Sequence, residues 1–194
     1  IAAGVLDSSD LASEVLIANS TIVGGQLFTD NGGIIEVTDS VFDGSLFGII
    51  NAAHVQVGGT HSLTLTGTIA NLGEIVLEPG ATLTIGEAAD TTALVGGGTI
   101  QLTSSGTIDG GDAQSRLLNV DNVIIATGGD VSTETGGNVI SVNLVNDASG
   151  LVAAVGDSAD HGLLTLSGAV TNFGTMSAED GGKLVVDGTL GNFG

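Results

Sequence analysis

Apolar and polar residues alternate in short stretches along this chain. In residues 63–77, Leu63, Leu65, Ile69, Ile75 and Leu77 fall on one face, with Thr64, Thr66 and Val76 between them. A period of two predicts strand, not helix. Leu164, Leu166, Val170, Met176 and Ala178 repeat the arrangement. Gly67, Gly73 and Gly80 punctuate the first unit, and Gly168, Gly174 and Gly181 match them in the second. Glycine at a fixed phase marks bends that need positive φ or a close backbone approach. Three short strands joined by glycine corners, recurring every ~20 residues, describe one turn of a parallel β-helix.

Asparagine sets the same period. Asn31, Asn51 and Asn71 are 20 residues apart, as are Asn172 and Asn192. Aliphatic pairs follow at a constant offset, which places inward anchors at Val15, Ile35, Val55, Ile75, Ile100, Val123, Val142 and Met176. The steps between these anchors are 20, 20, 20, 25, 23, 19 and 34 residues. Asn31, Asn51, Asn71, Asn119, Asn138, Asn172 and Asn192, seven of the eleven asparagines, share one phase. Stacked at one corner, their amides are expected to bond to one another as a ladder that satisfies buried polar groups; the alternative is a set of isolated exposed turns. Phe173 and Phe193 are then expected to stack inside. The longest step places a protruding insertion, a loop or small strand pair, at 147–162, because additions to a solenoid project from one face.

The fold class expected is all-β: a parallel β-helix, or β-solenoid, of about eight coils of ~20 residues with one long insertion. It forms a single domain over residues 1–194, a segment of a longer chain or an assembling subunit.

Composition narrows the function. The net charge is −20, from 22 carboxylates against only Arg116 and Lys183. Nucleic acid and anionic membrane surfaces are poor partners for such a chain, since phosphate binding needs clustered cations. No uninterrupted apolar run approaches the ~20 residues of a membrane helix. The absence of cysteine fits an exported bacterial protein, and cytosolic proteins can lack it too. The opening IAAGVLDSSD has no basic start of a signal peptide, so the chain is expected to be cytosolic, processed, or cut from something longer.

The units LTLTGTIANLGEIVLEPGATLTIG and LTLSGAVTNFGTMSAEDGGKLVVDGTLGNFG resemble the repeats of large bacterial surface adhesins and autotransporter passenger domains. The resemblance spans most of the chain and lies in pattern, without a diagnostic motif. It implies a right-handed solenoid, secreted and displayed at the bacterial cell surface. There it would act as an adhesive or structural stalk, or as a filament segment, contacting host or surface glycan or protein. It carries over no functional residue.

Candidate chemistry is sparse. Polysaccharide lyases and hydrolases also use parallel β-helices and form the alternative reading, but they need Arg or Lys with clustered Asp, or Asp with His on one face. Here Arg116 and Lys183 are distant in sequence, His54 and His61 lie on nearby strands, and His161 lies in the expected insertion. Ser62 follows His61, with no Asp evident at a matching phase. Catalytic residues and a required cofactor are therefore not expected. The metal candidates are Asp109 with Asp112 and Asp157 with Asp160, two carboxylates each on a flexible turn. Ca²⁺ wants six to eight oxygens, so solvated acidic turns are the competing reading. Nonspecific stabilisation by Ca²⁺ fits the net charge. The absence of Tyr and Trp argues against glycan stacking. The Thr64/Thr66 and Thr82/Thr84 rows span too few coils for an ice-binding face.

The chain stops in phase at Gly194 without a polar cap. Open solenoid ends expose strand edges. Neighbouring segments, or other copies, are therefore expected to pair with it end to end.

Overall fold

A computed structural model describes residues 4–86, 91–156 and 162–194. The chain winds through three flat walls. One is an eight-stranded sheet of β2 (Glu14–Ala18), β5 (Ile34–Thr38), β7 (His54–Val57), β9 (Glu74–Leu77), β12 (Thr99–Leu102), β15 (Val123–Ala126), β18 (Leu151–Val155) and β21 (Thr175–Glu179), in that order. The other two belong to one fifteen-stranded sheet, because β6 (Ser40–Ala52) and β8 (Ser62–Asn71) run through the corner between them. The second wall takes β3 (Thr21–Val23), the first halves of β6 and β8, β10 (Thr82–Ile85), β13 (Thr107–Gly110), β16 (Asn138–Ile140), β19 (Leu163–Leu166) and β22 (Lys183–Val186). The third takes β1 (Val5–Ser8), β4 (Gly25–Thr29), the second halves of β6 and β8, β11 (Thr91–Val95), β14 (Arg116–Asn119), β17 (Asn143–Asn146), β20 (Val170–Asn172) and β23 (Leu190–Asn192). The named strands pair in parallel from coil to coil. The fold is a parallel solenoid of about seven turns, of the right-handed β-helix class.

Inward side chains stack in register, so like sits on like. Ile35, Val55, Ile75, Ile100, Ile124 and Val152 form one fully buried file on the first wall. Leu83, Ile108, Ile140 and Leu166 form another on the second. Full burial of each such side chain contributes about 1.5–3 kcal/mol. Glycine makes the corner that β6 and β8 turn: Gly67 has φ of 70°, and a Cβ there would stand 2.4 Å from the Ser45 nitrogen. No other residue fits so close an approach.

The register corrects two expected anchors. Ile100 pairs with Ile124, not Val123, and Ile124 pairs with Val152, which pairs with Met176. Val123, Ile124 and Ile125 are all aliphatic, so alternation cannot set their phase; burial does, and Ile124 faces in. Val142 lies between β16 and β17, a buried corner residue between the second and third walls. The 34-residue step therefore does not exist as such. Of the span 147–162, Leu151–Val155 is β18, an ordinary strand of the first wall and not a protrusion. Residues 157–161 lie outside the described residues. The surplus that the structure does show falls earlier, in the loop 127–137 between β15 and β16.

Candidate functional site

The most organised polar feature is the corner where the third wall turns into the first. Asn51 donates from Nδ2 to Asn71 Oδ1 at 2.8 Å, and Asn71 donates to Asn122 Oδ1 at 2.9 Å. A second run has Asn119 donating to Asn146, Asn146 to Asn172 and Asn172 to Asn192, each at 2.8 Å. The runs join where the Asn122 amide donates to Asn119 Oδ1 at 3.1 Å and Asn119 Nδ2 donates back to the Asn122 carbonyl at 2.9 Å. Other amide protons go to backbone carbonyls, as from Asn71 to Thr99 and from Asn146 to Gly150, while Asn122 Nδ2 donates to Asp121 Oδ1 at 3.2 Å. Asn51, Asn71, Asn119, Asn122 and Asn146 are fully buried. The ladder answers the cost of burying carbonyls and amides at a tight corner.

Membership differs from the expectation at four positions. Asn31 is exposed with φ of 52° and donates to the Ser9 carbonyl, so it is a turn residue and not a rung. Asn138 is buried at another corner, accepting from the Gly106 amide and donating to the Thr127 carbonyl. Asn122 and Asn146 are rungs that the fixed offset missed: Asn122 is a second rung three residues past Asn119 in the same corner, and Asn146 follows Asn119 by 27 residues, a coil longer than the period of 20. Phe173 and Phe193 do stack, with ring centroids 5.5 Å apart. They stack outside, at 44% and 68% exposure, because the adjoining asparagines take the inward positions.

The histidines sit in carboxylate pairs between coils. His54 Nδ1 lies 3.0 Å from Glu74 Oε2 on the outer face of the first wall. His61 Nδ1 lies 3.0 Å from Asp39 Oδ2, and Ser62 donates its backbone amide and hydroxyl to Asp39 Oδ1 at 3.1 and 3.3 Å. Asp39 is thus the carboxylate that the sequence did not reveal. It occupies a left-handed corner, φ 46°, one coil before its partners, where no linear spacing points to it. The His61 bond, then the Ser62 amide, hold its carboxyl below the usual range. The Ser62 hydroxyl bonds the carboxylate, not the imidazole, so the three residues do not form the nucleophile–base–orienter order of a relay.

Of the metal candidates, Asp112 caps its own turn: Oδ1 accepts from the Gln114 amide at 2.7 Å and the Ser115 amide at 2.8 Å. Asp109 lies on the second wall, with Oδ1 buried and without a hydrogen bond. Among the described residues no three His or carboxylate side chains are gathered for a metal ion. Asp157, Asp160 and His161 lie outside the described residues. Arg116 is exposed on the third wall, beside Thr91 and Asn143 in the neighbouring strands. Lys183 lies on the second wall, in β22, and bonds Glu134.

No family model, curated protein or solved structure matches the chain.

Proposed function

We propose that this chain is a stalk segment of a secreted bacterial surface protein of adhesin type, a mechanical spacer and not an enzyme. The ladder carries the reading. Five fully buried asparagines are committed to neighbouring coils and to the corner backbone, which favours a rod of fixed shape over a reaction centre. The outward histidines serve the same purpose, each paired with a carboxylate one coil away. The edges of β21, β22 and β23 each have one neighbour, and a further in-phase coil, from the same chain or another, would continue all three walls by strand addition. Contact with host or surface glycan or protein is assigned to regions beyond these coils.

An antibody to this segment, applied to intact source cells and to a denaturing gel, tests the proposal. A surface signal on a chain several times larger than 18.9 kDa is expected. An exclusively internal signal would overturn the location. Turnover of an acidic polysaccharide by the purified chain would overturn the mechanical reading.

A further inference from the structure

The loop 127–137 is the longest described connection between strands, and its ends are drawn together. A Cβ on Gly129 would stand 2.8 Å from the Gly137 Cα, and Asn138 Nδ2 donates across the neck to the Thr127 carbonyl at 2.8 Å. The feet hold the flanking coils. The Gly136 carbonyl accepts from Ser105 on one side, and the Gly128 carbonyl accepts from Leu163 on the other, each at 2.9 Å. The tip is shaped by the Asp130–Thr135 bridge and by Asp130 Oδ1, which accepts from the Ser132 amide at 2.7 Å.

From this tip Glu134 reaches two coils along the second wall and accepts a hydrogen bond from Lys183, the first residue of β22. Glu134 holds a left-handed backbone, φ 57°, a conformation unfavourable for a residue with a Cβ unless its surroundings hold it. Beneath lies a cavity of about 360 Å³ lined by Leu163, Thr165, Val185, Val186, Asp187 and Glu134 itself. The strand it overlies is poorly protected: in β22, Val186 is 38% exposed. Gly128, Gly129 and Gly136 all have positive φ, so the loop leaves and rejoins the wall through bends that glycine takes readily.

We propose that the loop 127–137 is a clasp. Closed on Lys183, it protects the β21–β23 coil and covers the Leu163–Val185–Val186 groove; released, it lets that coil open locally. Both partners are exposed, so the catch is weak and sensitive to salt. That suits a catch made to open.

Amide hydrogen exchange of the 194-residue chain tests this, comparing the parent with Glu134→Gln, Lys183→Met and the charge-reversed pair Glu134→Lys/Lys183→Glu. Loss of the catch is expected to speed exchange in β22 and β23 by up to about five-fold, the span of exposed ion pairs. Exchange in β9 and β12 stays unchanged. About 1 M salt reproduces the effect in the parent, adds nothing in the single variants, and the reversed pair restores protection. Unchanged exchange in β22 in Glu134→Gln overturns the proposal. So does an equal salt response in parent and variants, or failure of the reversed pair to restore protection.

Discussion

Asn71 and Asn122 are hydrogen-bonded, Nδ2 to Oδ1 at 2.9 Å, although 51 residues and an intervening coil separate them. That coil, β11 to β12, passes between them on Gly96, Gly97 and Gly98. A Cβ on Gly98 would lie 2.5 Å from the Asn71 carbonyl oxygen and 2.8 Å from its Nδ2. The glycines leave the space through which two asparagines meet across a coil that contributes no rung. Gly98→Ala should therefore cost about 1–3 kcal/mol by overpacking against backbone. The urea midpoint measures it, and the same substitution at Gly97, where a Cβ would meet nothing within 4 Å, separates the clash from the strain of positive φ.

Removing a rung acts differently. Asn71→Ala leaves the Asn51 amide and the Asn122 carbonyl oxygen buried without each other's bridge. Each orphaned group costs about 1–3 kcal/mol. Asn31→Ala, at an exposed turn outside the ladder, should cost much less. Equal losses at Asn31 and Asn71 in denaturant melts would show that the ladder adds nothing beyond turn formation.

The outward stack and the inward core make an opposite pair. Phe42 is 0% exposed, and Phe193 is 68% exposed against Phe173. Phe42→Ala should cost about 3–5 kcal/mol as a core cavity. Phe193→Ala should cost about 0.5–1.5 kcal/mol, the worth of an aromatic pair. Thermal melts of both variants decide which phenylalanine holds the coils together.

Most of the architecture was legible in the chain because each level of pattern agrees with the next. Alternation at Leu63, Leu65, Ile75 and Leu77, glycine at the corners and a period of 20 through the first coils all describe the same winding. Legibility fails where coil length changes. Past Ile100 the run Val123, Ile124, Ile125 has no alternation, and its phase is set only by which residue the neighbouring coils bury. The same slippage hid Asn146 and gave Asn138 a rung that it does not occupy, while Asn122 was hidden because one corner holds two rungs, Asn119 and Asn122. Asp39 was invisible for another reason: its meeting with His61 depends on two corners stacking, and no spacing in a single coil encodes that.

That register is itself testable. Ile124 is fully buried between Ile100 and Val152, whereas Val123 lies outward between Thr99 and Leu151. Ile124→Ala should cost about 2–5 kcal/mol. Val123→Thr, a β-branched swap on the outer face, should stay within about 0.5 kcal/mol. The opposite ranking in denaturant melts would restore Val123 as the inward anchor.

Acid sensitivity follows from the corner carboxylates. Asp130 accepts bonds from Ser132 and Thr133, first of all the Ser132 hydroxyl, and its pKa is lowered to about 2. The Ser45 hydroxyl and amide, then Thr66, lower Asp43, and His61 lowers Asp39. A carboxyl depressed in the folded chain adds stability that is fully present above its unfolded pKa of about 3.9. For Asp130 that stability is lost as the pH falls through about 2. Glu14 has the opposite sign: the neighbouring Glu36 carboxyl raises its pKa, so its contribution falls as the pH rises. Asp130→Asn keeps an acceptor oxygen at the turn and removes the titration. Its urea midpoint should fall less steeply than the parent's between pH ~4 and ~2. Parallel curves would mean that the Asp130 turn is equally formed in the unfolded chain.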